Sequence, residues 1–350
     1  MPEHHVFHYQ KEFKLESGAT LPGLQLTYTT YGQLNEQGSN VVWVCHALTG
    51  SSDFTDWWAG LFGEGKLYDP ARWFIVCANM LGGCYGSTGP LSIDSETQQP
   101  YFYTFPQLTN RDVVAAFDLL RLELRLQHIH TLIGGSMGGQ QALEWAIWKP
   151  AIFERLVQVA SNARHSPWGI AFNETQRMAI RQDPTWGHST EEAGMAGMKT
   201  ARAMAMLSYR HYNTYQESQQ EPGNSITDNY RAASYQVYQG EKLAQRFNAY
   251  TYWLLSKAMD SHHIGRNRGG LQKALAHLQA RCLFVGVDTD ILFPVEEQRW
   301  LQAQVPGSSF AMLHSNYGHD GFLMEVVQLT EAINQFYIEE ETVELVNYER

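Results

Sequence analysis

The chain has 350 residues, 44% hydrophobic and 17% charged, which is long enough and apolar enough to bury a sizeable core and excludes a disordered chain. Lys plus Arg number 25 against 36 Asp plus Glu, a formal net charge of -11, and no long basic run is present, so a nucleic-acid surface is not expected. An anionic substrate would need positive charge supplied locally, against the field of the whole molecule.

The opening residues, MPEHHVFHYQKEF, hold no apolar stretch of the kind that begins a secretory signal. No later run approaches ~18 consecutive apolar residues, so no membrane span is expected. Residues 13–31 carry Gly18 and Pro22-Gly23 between alternating runs and read as an antiparallel hairpin at a sheet edge. The runs 41–45, 73–77, 131–134, 156–160, 282–287 and 310–313 are short, β-branched and aromatic, and read as buried strands. Residues 110–127 read as a helix with Val113, Val114, Phe117, Leu120 and Leu124 on one face; residues 137–148 read as another. Strands alternating with helices imply a mainly parallel sheet covered on both faces.

Residues 165–270 break this rhythm. They contain Met178, Met195, Met198, Met204, Met206 and Met259, with helical patterns at 195–210 and 250–259 and no strand pattern of comparable strength. The strand rhythm then resumes. The expected organisation is an α/β core of residues 1–164 and 271–350, interrupted by a helical lid at 165–270. Cys45, Cys77 and Cys282 lie in or beside apolar runs, and no C-x-x-C pair occurs. With Cys84 they read as reduced thiols of a cytoplasmic protein. No H-E-x-x-H or similar spacing points to a metal.

The sharpest chemical signal is Gly134-Gly135-Ser136-Met137-Gly138, where a strand turns into a helix. In this G-x-S-x-G pattern small flanking residues let strand and helix approach, the serine takes a strained conformation, and its hydroxyl projects above the sheet as a nucleophile. The amide of Met137 is placed to stabilise an oxyanion at the helix N-terminus. The second oxyanion donor belongs in the loop after strand 41–45, where the amide of Leu48 is the candidate and His46 reads as a brace for the turn. An acid and then a histidine should follow in the chain. Asp288 and Asp290 compete after strand 282–287. Asp290 is favoured because it lies deeper in the loop, before the apolar Ile291-Leu292-Phe293. His319 sits in the loop after the last strand, where the general base belongs; His314 is too close to the strand end.

These residues, with the segments NMLGGCYGSTGP at 79–90, GGSMGG at 134–139, ALEW at 142–145, FNETQRMAIRQDP at 172–184 and YGHDGFL at 317–323, make the chain resemble the homoserine O-acetyltransferases of the α/β-hydrolase fold. The resemblance covers nearly the whole chain. It implies transfer of an acetyl group from acetyl-CoA to the hydroxyl of L-homoserine, early in methionine biosynthesis, by a ping-pong route through an acyl-serine. It implies no tightly bound cofactor and a homodimer formed through the lid. It also places a substrate-binding arginine at Arg202, facing the homoserine carboxylate, and a substrate-binding aspartate at Asp320, facing the ammonium. Arg177, Arg181 and Arg210 are weaker candidates on the lid. The sequence departs from the family at Gln140-Gln141, at Thr289 and in a lid shortened between Trp186 and Ala193. Succinyl-CoA as donor, serine as acceptor, and ester or thioester hydrolysis by the same triad therefore remain open alternatives.

Overall fold

The computed structural model describes residues 1–348; the last two residues of the expected core span 271–350 lie outside the described residues. The strands are β1 (Glu3–Tyr9), β2 (Phe13–Lys14), β3 (Thr20–Leu21), β4 (Leu24–Tyr31), β5 (Val41–Cys45), β6 (Phe74–Ala78), β7 (Ile129–Gly135), β8 (Phe153–Val159), β9 (Arg281–Val287) and β10 (Ser309–Leu313). Eight of them form one sheet in the order β1-β4-β6-β5-β7-β8-β9-β10. From β6 to β10 all pairings are parallel, whereas β1–β4 and β4–β6 are antiparallel.

Period-two alternation explains why the central strands are apolar throughout. In β5, Val41, Trp43 and Cys45 join the core on one face of the sheet, while Val42 and Val44 join the core on the other. Trp43 meets Trp145 of the helix Met137–Trp148 edge-on, with ring centroids 5.0 Å apart. On the opposite face, Ile133 and Val157 pack in one cluster with Phe322 and Phe336.

The edge differs from the sequence expectation. Residues 13–31 are not one hairpin in the main sheet. β2 and β3 pair as a separate two-stranded piece, and β4 alone enters the large sheet, between β1 and β6. In β1 only Phe7 is buried, so the strand presents little of the alternation that sequence reading relies on. The helix expected over 110–127 spans Asn110–Glu123. A Thr109–Asp112 capping box opens it. It stops because Arg125 takes a left-handed conformation, φ 56°, and the Arg121 guanidinium holds the Leu126 carbonyl at 2.7 Å, which turns the chain toward β7.

Between β8 and β9 no strand occurs among the described residues. This stretch holds the helices Pro167–Arg181, Met195–Tyr209, Tyr212–Gln219, Arg231–Ala244 and Ala249–Asp260. Two helical segments were legible in the sequence; Pro167–Arg181, Tyr212–Gln219 and Arg231–Ala244 were not, and among their few buried residues the only large apolar ones are Ile180 and Leu243. No helix among the described residues is long and apolar enough to cross a membrane.

Candidate active site

Ser136, Asp290 and His319 follow β7, β9 and β10, at the C-terminal ends of parallel strands, where ligand crevices of open α/β sheets form. Ser136 sits at φ 56°, ψ −125°, between the strand and its helix. The tight turn needs glycine on both sides: a Cβ on Gly134 would run into the Gly138 carbonyl, and one on Gly138 into the Cys45 carbonyl. The strained turn is held from both sides, Ser136 N–H donating to Val159 O at 2.9 Å and Ser161 Oγ donating to Ser136 O at 2.7 Å.

The three side chains form one hydrogen-bonded line. Ser136 Oγ lies 2.8 Å from His319 Nε2, and His319 Nδ1 lies 2.6 Å from Asp290 Oδ2. A carboxylate only accepts, so Nδ1 of the neutral ring carries the proton and Nε2 is left to accept from the serine hydroxyl. The other Asp290 oxygen accepts from Leu292 N and Phe293 N at 2.8 and 2.9 Å. The imidazole is stacked on Phe293 at 5.1 Å and meets Phe322 edge-on at 5.4 Å, which fixes its plane. Burial disfavours its charged form, but the Asp290 charge and hydrogen bond outweigh that, with help from Asp320, and hold the His319 pKa above its ordinary value. Asp288 has different work: it accepts from Ser315 N at 3.0 Å and lies 2.9 Å from His314 Nδ1, bracing the start of the histidine loop.

A cavity of about 190 Å³ opens on Ser136 and His319. Leu48 lines it with Ala47, Thr49 and Gly50, while Met137 is buried as the first residue of the helix behind Ser136. His46 supports the Leu48 loop: its Nδ1–H donates to Ala47 O at 2.9 Å and its Nε2 accepts from Met80 N at 3.2 Å. Burial pushes its pKa down to about 4, so it stays neutral at physiological pH. Arg202 and Asp320 both line the cavity. They are not paired with each other. Arg202 lies over the Tyr209 ring, 5.2 Å from its centroid, and its buried Nε has no hydrogen-bond partner among the described residues. Asp320 pairs with Arg210, Nε to Oδ2 2.8 Å.

Comparison with known proteins supplies the family. A model of the alpha/beta hydrolase fold matches residues 40–326. A homoserine O-acetyltransferase from Cyclobacterium marinum is 52% identical over 334 residues, 95% of each chain. One from Nostoc punctiforme is 42% identical over 345 residues, 95% of this chain and 96% of its own. The chain belongs to the homoserine O-acetyltransferase family. Among solved structures, a homoserine O-acetyltransferase from Bacillus anthracis aligns with a TM-score of 0.88 at 25% identity, covering 96% of this chain and 97% of its own. Esterase E22 aligns with the same TM-score at 24% identity over 96% of this chain and 100% of its own, a likeness of fold.

For a homoserine O-acetyltransferase, two further residues of the cavity wall went unread in the sequence. Tyr209 lies seven residues after Arg202, two helical turns on and on the same face, a spacing that could have drawn attention to it. Arg246 comes from the loop before the helix Ala249–Asp260 and donates to Thr49 O at 2.7 Å and to Tyr85 Oη; no motif marks it. Arg177 lies elsewhere and ties the helix Pro167–Arg181 to the helix Ala249–Asp260: it donates to Ser256 Oγ at 3.1 Å and pairs with Glu174 and Asp260. Arg181 likewise pairs with Glu174. Among the described residues no cluster of three or more His, Cys, Asp or Glu is arranged to hold a metal.

Proposed function

We propose that the protein transfers an acetyl group from acetyl-CoA to the hydroxyl of L-homoserine, the step that enters methionine biosynthesis. The observation that carries this reading is the Ser136–His319–Asp290 line opening into a cavity whose wall also holds an arginine and an aspartate suited to an amino acid. Ser136 attacks the thioester carbonyl as His319 takes its proton; CoA departs as the thiol, protonated by His319. Homoserine then enters, its hydroxyl attacks the acyl carbonyl as His319 takes its proton, and the bond to Ser136 Oγ breaks as His319 returns that proton to the serine. The amides of Leu48 and Met137 hold the oxyanion of both tetrahedral intermediates, each worth about 2.7–4 kcal/mol.

Arg202 receives the homoserine carboxylate and Asp320 its ammonium. Residues 165–270 act as the lid over an α/β core of residues 1–164 and 271–350, and they limit the access of water to the acyl-serine. No tightly bound cofactor is required; acetyl-CoA and homoserine are the substrates. The compartment is the cytoplasm, in keeping with the buried thiols of Cys45, Cys77 and Cys282. The lid helices also carry the contact of a homodimer.

The test is CoA release from acetyl-CoA with and without homoserine. Release that depends on homoserine and yields O-acetylhomoserine is expected. Release at the same rate without it would make the protein a thioesterase with the same triad. Competition between acetyl-CoA and succinyl-CoA, and between homoserine and serine, read by mass spectrometry, fixes donor and acceptor. Ser136→Ala is expected to abolish transfer while leaving the far-ultraviolet circular dichroism unchanged.

A further inference from the structure

Arg202 and Asp320 line the cavity, Arg210 reaches Asp320 from outside its wall, and the geometry gives the two arginines different tasks. Both belong to the helix Met195–Tyr209, Arg202 to its body and Arg210 as the residue that caps its C-terminal end. The buried Nε of Arg202 is uncommitted among the described residues, whereas Arg210 Nε lies 2.8 Å from Asp320 Oδ2. The Arg210 N–H does not point along that line, so the contact is an ion pair and not a directed hydrogen bond. Its guanidinium also lies over the Tyr317 ring, 5.7 Å from the centroid, which sets it in place from a second side.

The backbone around this pair is fitted closely. Gly318 stands at φ 62°, and a Cβ there would come within 2.9 Å of His211 N and 3.0 Å of the Arg210 carbonyl carbon. Thr214 Oγ1 donates to Asn316 O one turn further on. The loop that carries His319 and Asp320 is thus seated against the end of the Arg202 helix, with the Arg210–Asp320 pair at the seam.

We propose that Arg210 is a positioning residue that acts through Asp320, holding that carboxylate charged and aimed so that it can take the acceptor's ammonium. The proposal rests on the reading of homoserine as acceptor. It answers a physical difficulty in that reading. Burial pushes the Asp320 carboxyl above its ordinary pKa, and Asp290 adds to this; Arg210, Arg202 and His319 offset only part of it, so the carboxyl stays raised even with Arg210 in place. Tyr209 and Tyr215, which also feel the Asp320 charge, are themselves pushed up by burial and stay neutral. When homoserine arrives, its carboxylate engages Arg202 and neutralises that support. Arg210, whose charge is not spent on the substrate, then keeps Asp320 ionised under the incoming ammonium.

The experiment separates the half-reactions in Arg210→Gln and Arg210→Lys, with Arg202→Ala as comparator. In Arg210→Gln the KM for homoserine is expected to rise about tenfold, the cost of one charge-assisted contact, while the rate of CoA release in the acylation step stays within about twofold of wild type. The KM defect should grow as pH falls, because the carboxyl without Arg210 protonates at higher pH and a protonated carboxyl does not hold an ammonium. Arg210→Lys should restore most of the affinity, since it returns the charge without the fork. An unchanged homoserine KM, an equal loss in both half-reactions, or a defect independent of pH and not rescued by lysine would overturn the proposal. A wild-type enzyme with no homoserine-dependent transfer would instead sink the acceptor assignment on which it rests.

Discussion

At the scale of single residues, the site is governed by what surrounds His319. Its imidazole must be neutral to accept the proton of Ser136, so activity falls as pH drops through its pKa. That pKa is raised above the ordinary 6.5: burial works against the charged form, and Asp290 more than compensates. The acid limb of kcat/KM is therefore expected above pH 6.5 in the wild type. In Asp290→Asn the main compensating charge is gone and only the smaller pull of Asp320 opposes burial, so the limb should move to lower pH. The amide would also present an N–H to Nδ1 and favour the wrong tautomer, with a loss of about 10⁴-fold at neutral pH. A limb that stayed in place would show that another group titrates. The stability linkage has the matching sign. A raised folded-state pKa contributes stability that is complete below about 6.5 and fades as pH rises through the folded value, so thermal unfolding of the wild type should show a modest decline there that Asp290→Asn lacks.

At the scale of elements, the strand-to-helix turn at Ser136 is held by the helix that follows it, and that helix is pinned by one acid. Glu144, 2% exposed, receives Arg268 Nη1 at 3.0 Å and lies 3.2 Å from Arg111 Nε. It ties the helix Met137–Trp148 to the helix Asn110–Glu123 and to the chain returning from the lid. Glu144→Ala removes the carboxylate that Arg111 and Arg268 share, while Arg111 keeps Glu16 at 2.9 Å and Arg268 keeps the Ile264 carbonyl at 2.9 Å, and should cost about 2 kcal/mol in urea unfolding; a loss under about 0.5 kcal/mol would mean that these partners and solvent satisfy both groups. Glu144 also shows where sequence reading ends. It was visible as part of the ALEW segment, yet its partners lie 33 residues before it and 124 after it, and nothing local announces them. The parallel strands and the serine turn were legible because their signals are local: β-branched runs, a glycine on each side of Ser136, a carboxylate and a histidine after successive strands. The edge strand β1 and the polar helices of the lid were not, since neither buries a full apolar face. Arg210 could be read only as one of three weaker arginine candidates for the same reason: its pairing with Asp320 is made 110 positions away.

At the scale of the whole molecule, the charge of -11 and the cationic cavity are compatible because they belong to different surfaces. Arg202 and Arg246 line the cavity and Arg210 stands at its edge, so a carboxylate meets positive charge locally although the protein as a whole repels it. The helices between β8 and β9 also expose large apolar side chains. Leu207 is 56% exposed and Val237 66%, on the helices Met195–Tyr209 and Arg231–Ala244, and Tyr212 and Tyr238 extend the same kind of surface. Large apolar side chains grouped on neighbouring helices cost free energy in water, and a second copy of the same face can cover them around a two-fold axis. Sedimentation velocity is therefore expected to give twice the chain mass of 39.8 kDa at micromolar concentration. Leu207→Glu with Val237→Glu should shift the boundary to the single-chain mass without unfolding the lid, because both side chains already face solvent in one chain. Since Leu207 lies two residues before Tyr209 on the helix that also carries Arg202, the monomeric variant should bind homoserine more weakly as that helix loses its support. A wild-type chain that sediments as a monomer over the same range would remove the dimer and with it this link between assembly and acceptor binding.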